Sequence, residues 1–220
     1  MIDHEMIGSL LALSSGVVLL CAALALWRRV ARGIVNALRL QGLALGSAAA
    51  LLGVKLHEPV LIVTAVLIIA VKGFVIPMLF GRLIRLDPSS SEIDPVVNVP
   101  ASLVAAVMLT MVAFVTTRPI VDSIRSVPVS LVPYGFATVL IGCFVLVARR
   151  KAVAQMVGLL LIDNGIGLVA LLLTTGMPIL IELGGTLDVL LVVVVLRVLA
   201  TRMHAELGVL DLDALQDLHD

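Results

Sequence analysis

Apolar residues run along this chain in stretches of about 20, and polar residues collect in the short gaps between them. A helix rises ~1.5 Å per residue, so each stretch matches the ~30 Å hydrocarbon thickness of a bilayer. Seven such stretches occur, near residues 6–27, 34–54, 59–81, 98–116, 130–148, 151–174 and 180–201. The pattern predicts an all-α integral membrane protein with about seven transmembrane helices. One gap is sizeable, "RLDPSSSEIDPVVNVP" between the third and fourth spans. Spans five and six are joined only at "ARRKA", the tight turn of an αα-hairpin.

Composition agrees with the pattern. Only 14% of the 220 residues are charged and 61% are hydrophobic, with a mean hydropathy of +1.21. A soluble domain carries roughly a quarter charged residues, so the class is a polytopic membrane protein embedded in a lipid bilayer. The formal net charge of zero gives no reason to expect a nucleic-acid partner. The first apolar stretch precedes its basic cluster, "RRVARG". A signal peptide has the reverse order, so this stretch is expected to be a retained span.

Orientation follows from the basic residues in alternate loops. One side carries Arg28, Arg29, Arg32, Arg82, Arg85, Arg149, Arg150, Lys151 and Arg202, nine in all. The other carries three, Lys55, Arg118 and Arg125. Nine against three places the N-terminus outside and the C-terminus in the cytoplasm, an arrangement that needs an odd number of spans.

Three charged groups sit deep within the apolar stretches. Counted from the cytoplasmic end of each span, Lys72 lies ~14 Å in, Asp163 ~18 Å and Asp188 ~20 Å. All three therefore approach the mid-plane from different helices. Each costs roughly 2.5–3.5 kcal/mol at the centre of a helix in lipid, which pairing, water or protonation must offset. Two readings fit: a proton relay, or a static interhelical pair between Lys72 and one of the acids. Asn164, beside Asp163, can hydrogen-bond across helices. Glu182 starts the seventh span near the outer face, about 120° around the helix from Asp188, so the two do not share one narrow stripe. Arg39 and Arg197 lie within about two turns of cytoplasmic ends and can snorkel. His57 and Glu58 read as a solvated outer loop.

Other signals are weaker. Gly42 and Gly46 form a GxxxG in the second span, a pattern common by chance. Pro77 either kinks the third span or marks its end. Cys21 and Cys143 fall inside apolar runs, without CxxC spacing or a nearby His, and read as small buried hydrophobes. The chain is therefore expected to hold no iron–sulfur cluster, haem or nickel of its own. No nucleotide-binding loop, catalytic triad or metal-ligand spacing is present, and the four His at 4, 57, 204 and 219 lie near ends or loops.

At "ARRKAVAQMVGLLLIDNGIGLVALL" the chain resembles the K subunit of respiratory complex I, whose second helix opens with a basic pair and then reads Gly-Leu, acid, Asn. It is more similar to the hydrogenase-4 component E family, the K-like membrane subunits of group 4 NiFe hydrogenase and formate hydrogenlyase complexes. Those proteins place extra helices ahead of three K-like ones. They show acid-Asn-Gly in the penultimate helix and "GMPxxxELGxxxD" leading into the last. Here these are Asp163-Asn164-Gly165 and "GMPILIELGGTLDVLLVVVVLRV". The "VKGFVIPMLF" around Lys72 and the late "LDLDAL" are also similar, so the likeness covers most of the chain. Two positions depart from it. Leu160 stands where the K subunit has its acid, with Asp163 three residues on, and Asp is one methylene shorter than the usual Glu.

The resemblance implies a four-helix membrane region over residues 1–129, a K-like three-helix region over 130–203 and an acidic cytoplasmic tail over 204–220. The tail is either a solvated end or a segment docking on a peripheral redox arm. The resemblance further implies a cofactor-free subunit in a bacterial or archaeal cytoplasmic membrane, beside antiporter-like and other membrane subunits. The NiFe centre and iron–sulfur clusters would sit in hydrophilic hydrogenase partner subunits. The implied role is helping to move protons or sodium, with Asp163, Asp188, Lys72 and Glu182 as relay groups and Asn164, Arg39 and Arg197 in support. Two rivals stand beside it. One is the K-like subunit of a multisubunit Na+/H+ antiporter, usually limited to the three K-like helices; the other is a purely structural anchor.

Overall fold

In hydrocarbon every backbone polar group must be satisfied within its own segment, so apolar runs of this length form helices. The computed structural model describes residues 4–27, 31–86, 98–149 and 152–173. They form α1 (His4–Trp27), α2 (Ala31–Leu56), α3 (Pro59–Ile68), a π-helical turn (Ile69–Val75), α4 (Ile76–Leu86), α5 (Val99–Ile124), a 3-10 turn (Val129–Leu131), α6 (Val132–Ala148) and α7 (Ala152–Leu173). α3, the π turn and α4 run on as one span. Among the described residues six helical stretches are thus long and apolar enough to cross a membrane, and they coincide with the first six expected spans. The chain is a multi-pass helical membrane protein. The expected seventh span, the 204–220 tail, Glu182, Asp188 and Arg197 lie outside the described residues.

Lipid tails are as apolar as leucine, so helices in a bilayer associate through close packing and polar contacts rather than hydrophobic exclusion. Glycines supply the close packing here. A Cβ on Gly142 would lie 2.9 Å from the Gly158 carbonyl, and one on Gly165 would lie 2.8 Å from the Gly135 carbonyl. Gly135 and Gly142 are seven residues apart on α6, and Gly158 and Gly165 are seven apart on α7. A seven-residue repeat returns to nearly the same face after two turns, so the antiparallel helices meet backbone to backbone at two levels. The GxxxG of α2 makes a second seam. Gly42 lies against the Lys72–Gly73 backbone, Gly46 against Ile69, and Gly53 against Leu61 and Ile62.

α2 therefore sits centrally, packed on α1, on the third span and on α7. Around it Leu11, Val18, Leu45, Ala48, Leu52, Leu168 and Leu172 form a fully buried cluster. Among the described spans α5 is the most peripheral. It turns Ser102, Ala106, Ala113 and Thr117 inward and exposes Val104, Val107, Met108, Met111 and Val115. Phe114 meets Tyr134 of α6 edge to face, with ring centroids 5.4 Å apart.

Two expectations need correcting. The fourth span does not end near 116 but continues through Pro119 to Ile124. Pro119 is exposed, which leaves its ring room, and the nearby Thr117 hydroxyl donates back to the Ala113 carbonyl at 2.7 Å. Such local bonding is how helices in lipid tolerate proline and threonine together. Cys143 is exposed on the outside of α6, whereas Cys21 is buried as expected. Arg149, just past the end of α6, is buried, and its Nη2 donates to the Leu26 carbonyl at 3.1 Å. That carbonyl belongs to the last turn of α1, where no intrahelical donor remains and a cation is favoured.

The link between α2 and α3 shows how tightly these helices are joined. His57 is left-handed, with φ 56°, and the Glu58 N–H bonds the Gly53 carbonyl at 3.1 Å. This is the Schellman closure of a helix, after which Pro59 opens α3 in its first turn, where no N–H is needed. Because a side chain at positive φ is strained by about 1 kcal/mol, His57→Gly should stabilise the protein by roughly that amount. A lower melting temperature for the glycine variant would contradict the assigned turn.

Candidate functional site

The third span reaches the middle of the bundle in an unusual conformation. Over Ile69–Val75 the helix widens to the π form, and the Ile76 N–H bonds the Val71 carbonyl, five residues back. Pro77 comes immediately after. A proline inside an α-helix presses its ring on the carbonyl four residues earlier, here Gly73. Widening the turn before the proline relieves that clash, and the helix continues to Leu86 instead of ending. The inserted residue also rotates the remainder of the span by about 100° relative to a regular helix. Lys72 and Gly73 are the buried residues of this turn. Gly42 of α2 lets the turn approach closely, since a Cβ there would lie 2.5 Å from the Lys72 carbonyl carbon.

From this turn the Lys72 ammonium reaches Asp163 of α7, with Nζ 2.7 Å from Oδ2. The two side chains are 3% and 12% exposed, so the pair is almost dry. Gly167, one turn beyond Asp163 on the same face of α7, leaves room for the ammonium: its missing Cβ would stand 3.5 Å from Nζ. Asn164 faces α2 instead. Its Nδ2 donates to Gln41 Oε1 at 2.8 Å, and Gln41 Nε2 donates to the Val18 carbonyl of α1 at 3.0 Å. Gln41 is fully buried and Asn164 nearly so.

The result is a polar layer that draws on four spans: α1, α2, the π turn and α7. Two opposite charges this close in a water-poor site attract strongly, but the cost of drying them cancels much of the gain. Such a pair is therefore a modest source of stability and a sensitive one, because removing either partner takes away the attraction that offsets the drying of the other. Chemically it offers one ammonium and one carboxylate in contact. Among the described residues no three His, Cys, Asp or Glu side chains converge on a point where a metal would sit.

Of the candidates read from the sequence, the fold brings together Lys72 and Asp163 and gives Asn164 its cross-helix bond. Arg39 lies on the exposed face of α2. It is two residues from Gln41, about 200° around the helix, so it cannot share Gln41's inward direction. Gln41 and Gly167 were not read as site residues. The available signal for Gln41 was a carboxamide inside an apolar run.

The chain is 39% identical over 208 residues to the uncharacterized protein Rv0085 of Mycobacterium tuberculosis (strain ATCC 25618 / H37Rv), a match covering 94% of each chain. It belongs to the same family as that protein. No protein-family model matches the chain. No solved structure matches it significantly.

Proposed function

We propose that this protein is a cofactor-free membrane subunit of a hydrogenase-type assembly related to complex I, and that it contributes to proton translocation through its buried ionisable residues. The observation that carries the mechanistic part is the Lys72–Asp163 contact at 2.7 Å in a nearly dry layer. In a relay, a proton arriving at Asp163 neutralises it and loosens its hold on Lys72; its departure restores the pair. The assignment to a hydrogenase-type complex rests on the sequence resemblance. It places the NiFe and iron–sulfur chemistry in partner subunits and the C-terminal half of this chain beside antiporter-like subunits.

Asp163→Asn tests the relay, because it keeps size and hydrogen bonding while removing titration. Proton uptake by membrane vesicles should fall while the abundance of the assembled complex is maintained. Full uptake in a well-assembled Asp163→Asn complex would sink the relay.

A second reading draws on the same contact. A fully formed, buried ion pair is also what a static anchor requires, and the two readings separate only when stability and transport are measured on the same variants.

The orientation belongs to this proposal too. With the N-terminus outside and seven spans, reporter fusions after residue 90 and at the C-terminus should both report cytoplasm. A fusion near residue 176 should report the outside. A C-terminal fusion on the outer side would require an even number of spans.

A further inference from the structure

Beside the ion pair, the Gln41–Asn164 bond is the second polar link to α7 in this layer, and it has a geometric consequence. Asp163 and Asn164 are consecutive, so they project about 100° apart from α7. One meets the third span and the other meets α2. Any rotation of α7 that moves Asp163 away from Lys72 must also pull Asn164 off Gln41. Gln41 cannot follow freely, because its own Nε2 is tied to the Val18 carbonyl of α1. Breaking the link strands buried amides in a site with little water, at a cost that a packed apolar contact would not impose.

The packing elsewhere on α7 explains why such a key is useful. Its contact with α6 passes through Gly158 and Gly165, which bring the backbones together without a side chain at those points. A single buried carboxamide is known to set helix register where apolar contacts alone leave it under-determined. We infer that Gln41 and Asn164 are positioning residues: their bond sets the rotation of α7 about its axis and so holds Asp163 against Lys72. This deepens the relay reading and rests on it only for the effect on transport.

The test uses the exchange Gln41→Asn/Asn164→Gln beside the two single variants, all in the full chain. Each single substitution changes the combined side-chain length across the α2–α7 gap by one methylene, and the exchange restores it. The chain has three lysines, Lys55, Lys72 and Lys151. Nitrogen-15 lysine labelling with carbon-13 aspartate labelling therefore gives a short set of signals in bilayer samples. The Lys72 Nζ to Asp163 Cγ dipolar coupling can be assigned by its loss in Lys72→Met. Both single variants should lose this coupling, and the exchange should recover it. Proton uptake should follow the coupling, falling about tenfold or more in the single variants, as expected when a reacting group is misplaced by about an ångström.

Coupling that persists in both single variants would overturn the inference, since Asp163 would then hold its place without the amide bond. So would coupling that the exchange fails to recover, or an exchange variant that does not assemble, because the exchange retains the bond. The outcomes for positioning and relay are separable. Coupling is read without transport, so normal uptake by Asp163→Asn would remove the relay and leave the positioning role standing.

Discussion

Asp163→Leu in a chain that keeps Lys72 is expected to lose about 3–5 kcal/mol of stability, the usual cost of removing one partner from a buried ion pair. The ammonium stays near the middle of the bundle, on a turn fixed by Pro77 and by the Gly42 seam, without the carboxylate that faces it. Adding Lys72→Met should recover most of that loss, because a thioether of similar length fills the space with no charge to dry. The recovery is a coupling between adjacent sites, and the four proteins of the cycle measure it directly. Unfolding of the purified protein in detergent, followed by helical signal against denaturant, is the appropriate measurement. Additive losses in the double variant would mean that the two groups are not paired in the folded protein.

The second large effect concerns the glycines of the α6–α7 seam. A methyl on Gly158 would lie 2.8 Å from the Leu146 nitrogen, and one on Gly142 would lie 2.8 Å from the Ile162 nitrogen. Backbone atoms cannot rotate aside, so the helices themselves must part. Gly142→Ala and Gly158→Ala should each destabilise by about 1–3 kcal/mol from overpacking, more than the helix-propensity gain of about 1 kcal/mol that alanine brings. The two sites face each other across the seam. Once the first methyl has parted the helices, the second should add less than its own single effect. Gly16 and Gly81 provide the opposite sign in the same protein. Both are helical with nothing within 4 Å of the missing Cβ, so alanine there should stabilise by about 0.5–1 kcal/mol. Stabilisation at Gly158 equal to that at Gly16 would show that α6 and α7 do not meet as described.

The parts of this structure legible in the sequence are those that lipid makes exceptional. A span must be apolar for most of its length, so six helices could be placed from hydropathy alone. Their ends were less certain where threonine and proline interrupt the pattern, as at Thr117 and Pro119, because local hydroxyl bonds let a helix continue past a residue that would end it in water. Lys72 and Asp163 were legible because charge at that depth is rare and expensive, and depth alone placed them at similar levels. Gln41 was not, although it is as buried as either: an uncharged amide costs less in hydrocarbon and stands out less among leucines. The π turn is invisible to hydropathy, which counts residues and not the carbonyl each N–H chooses. Its only trace was Pro77, read as a choice between a kink and an end. The glycine seam was missed for a different reason. A spacing of four in α2 fits the familiar close-approach pattern, whereas the spacing of seven in α6 and α7 becomes meaningful only once the two helices are known to lie antiparallel.

As proposed above, the Lys72–Asp163 pair moves protons and does more than fasten helices together. The double variant Asp163→Leu/Lys72→Met separates the two roles, since it removes both charged groups while restoring the stability that either change alone would cost. Proton uptake should be measured in membrane vesicles in which the double variant has assembled to wild-type abundance. A relay predicts that coupled uptake is lost although the complex is intact. Uptake at the wild-type rate would contradict it and leave the pair as a structural clasp.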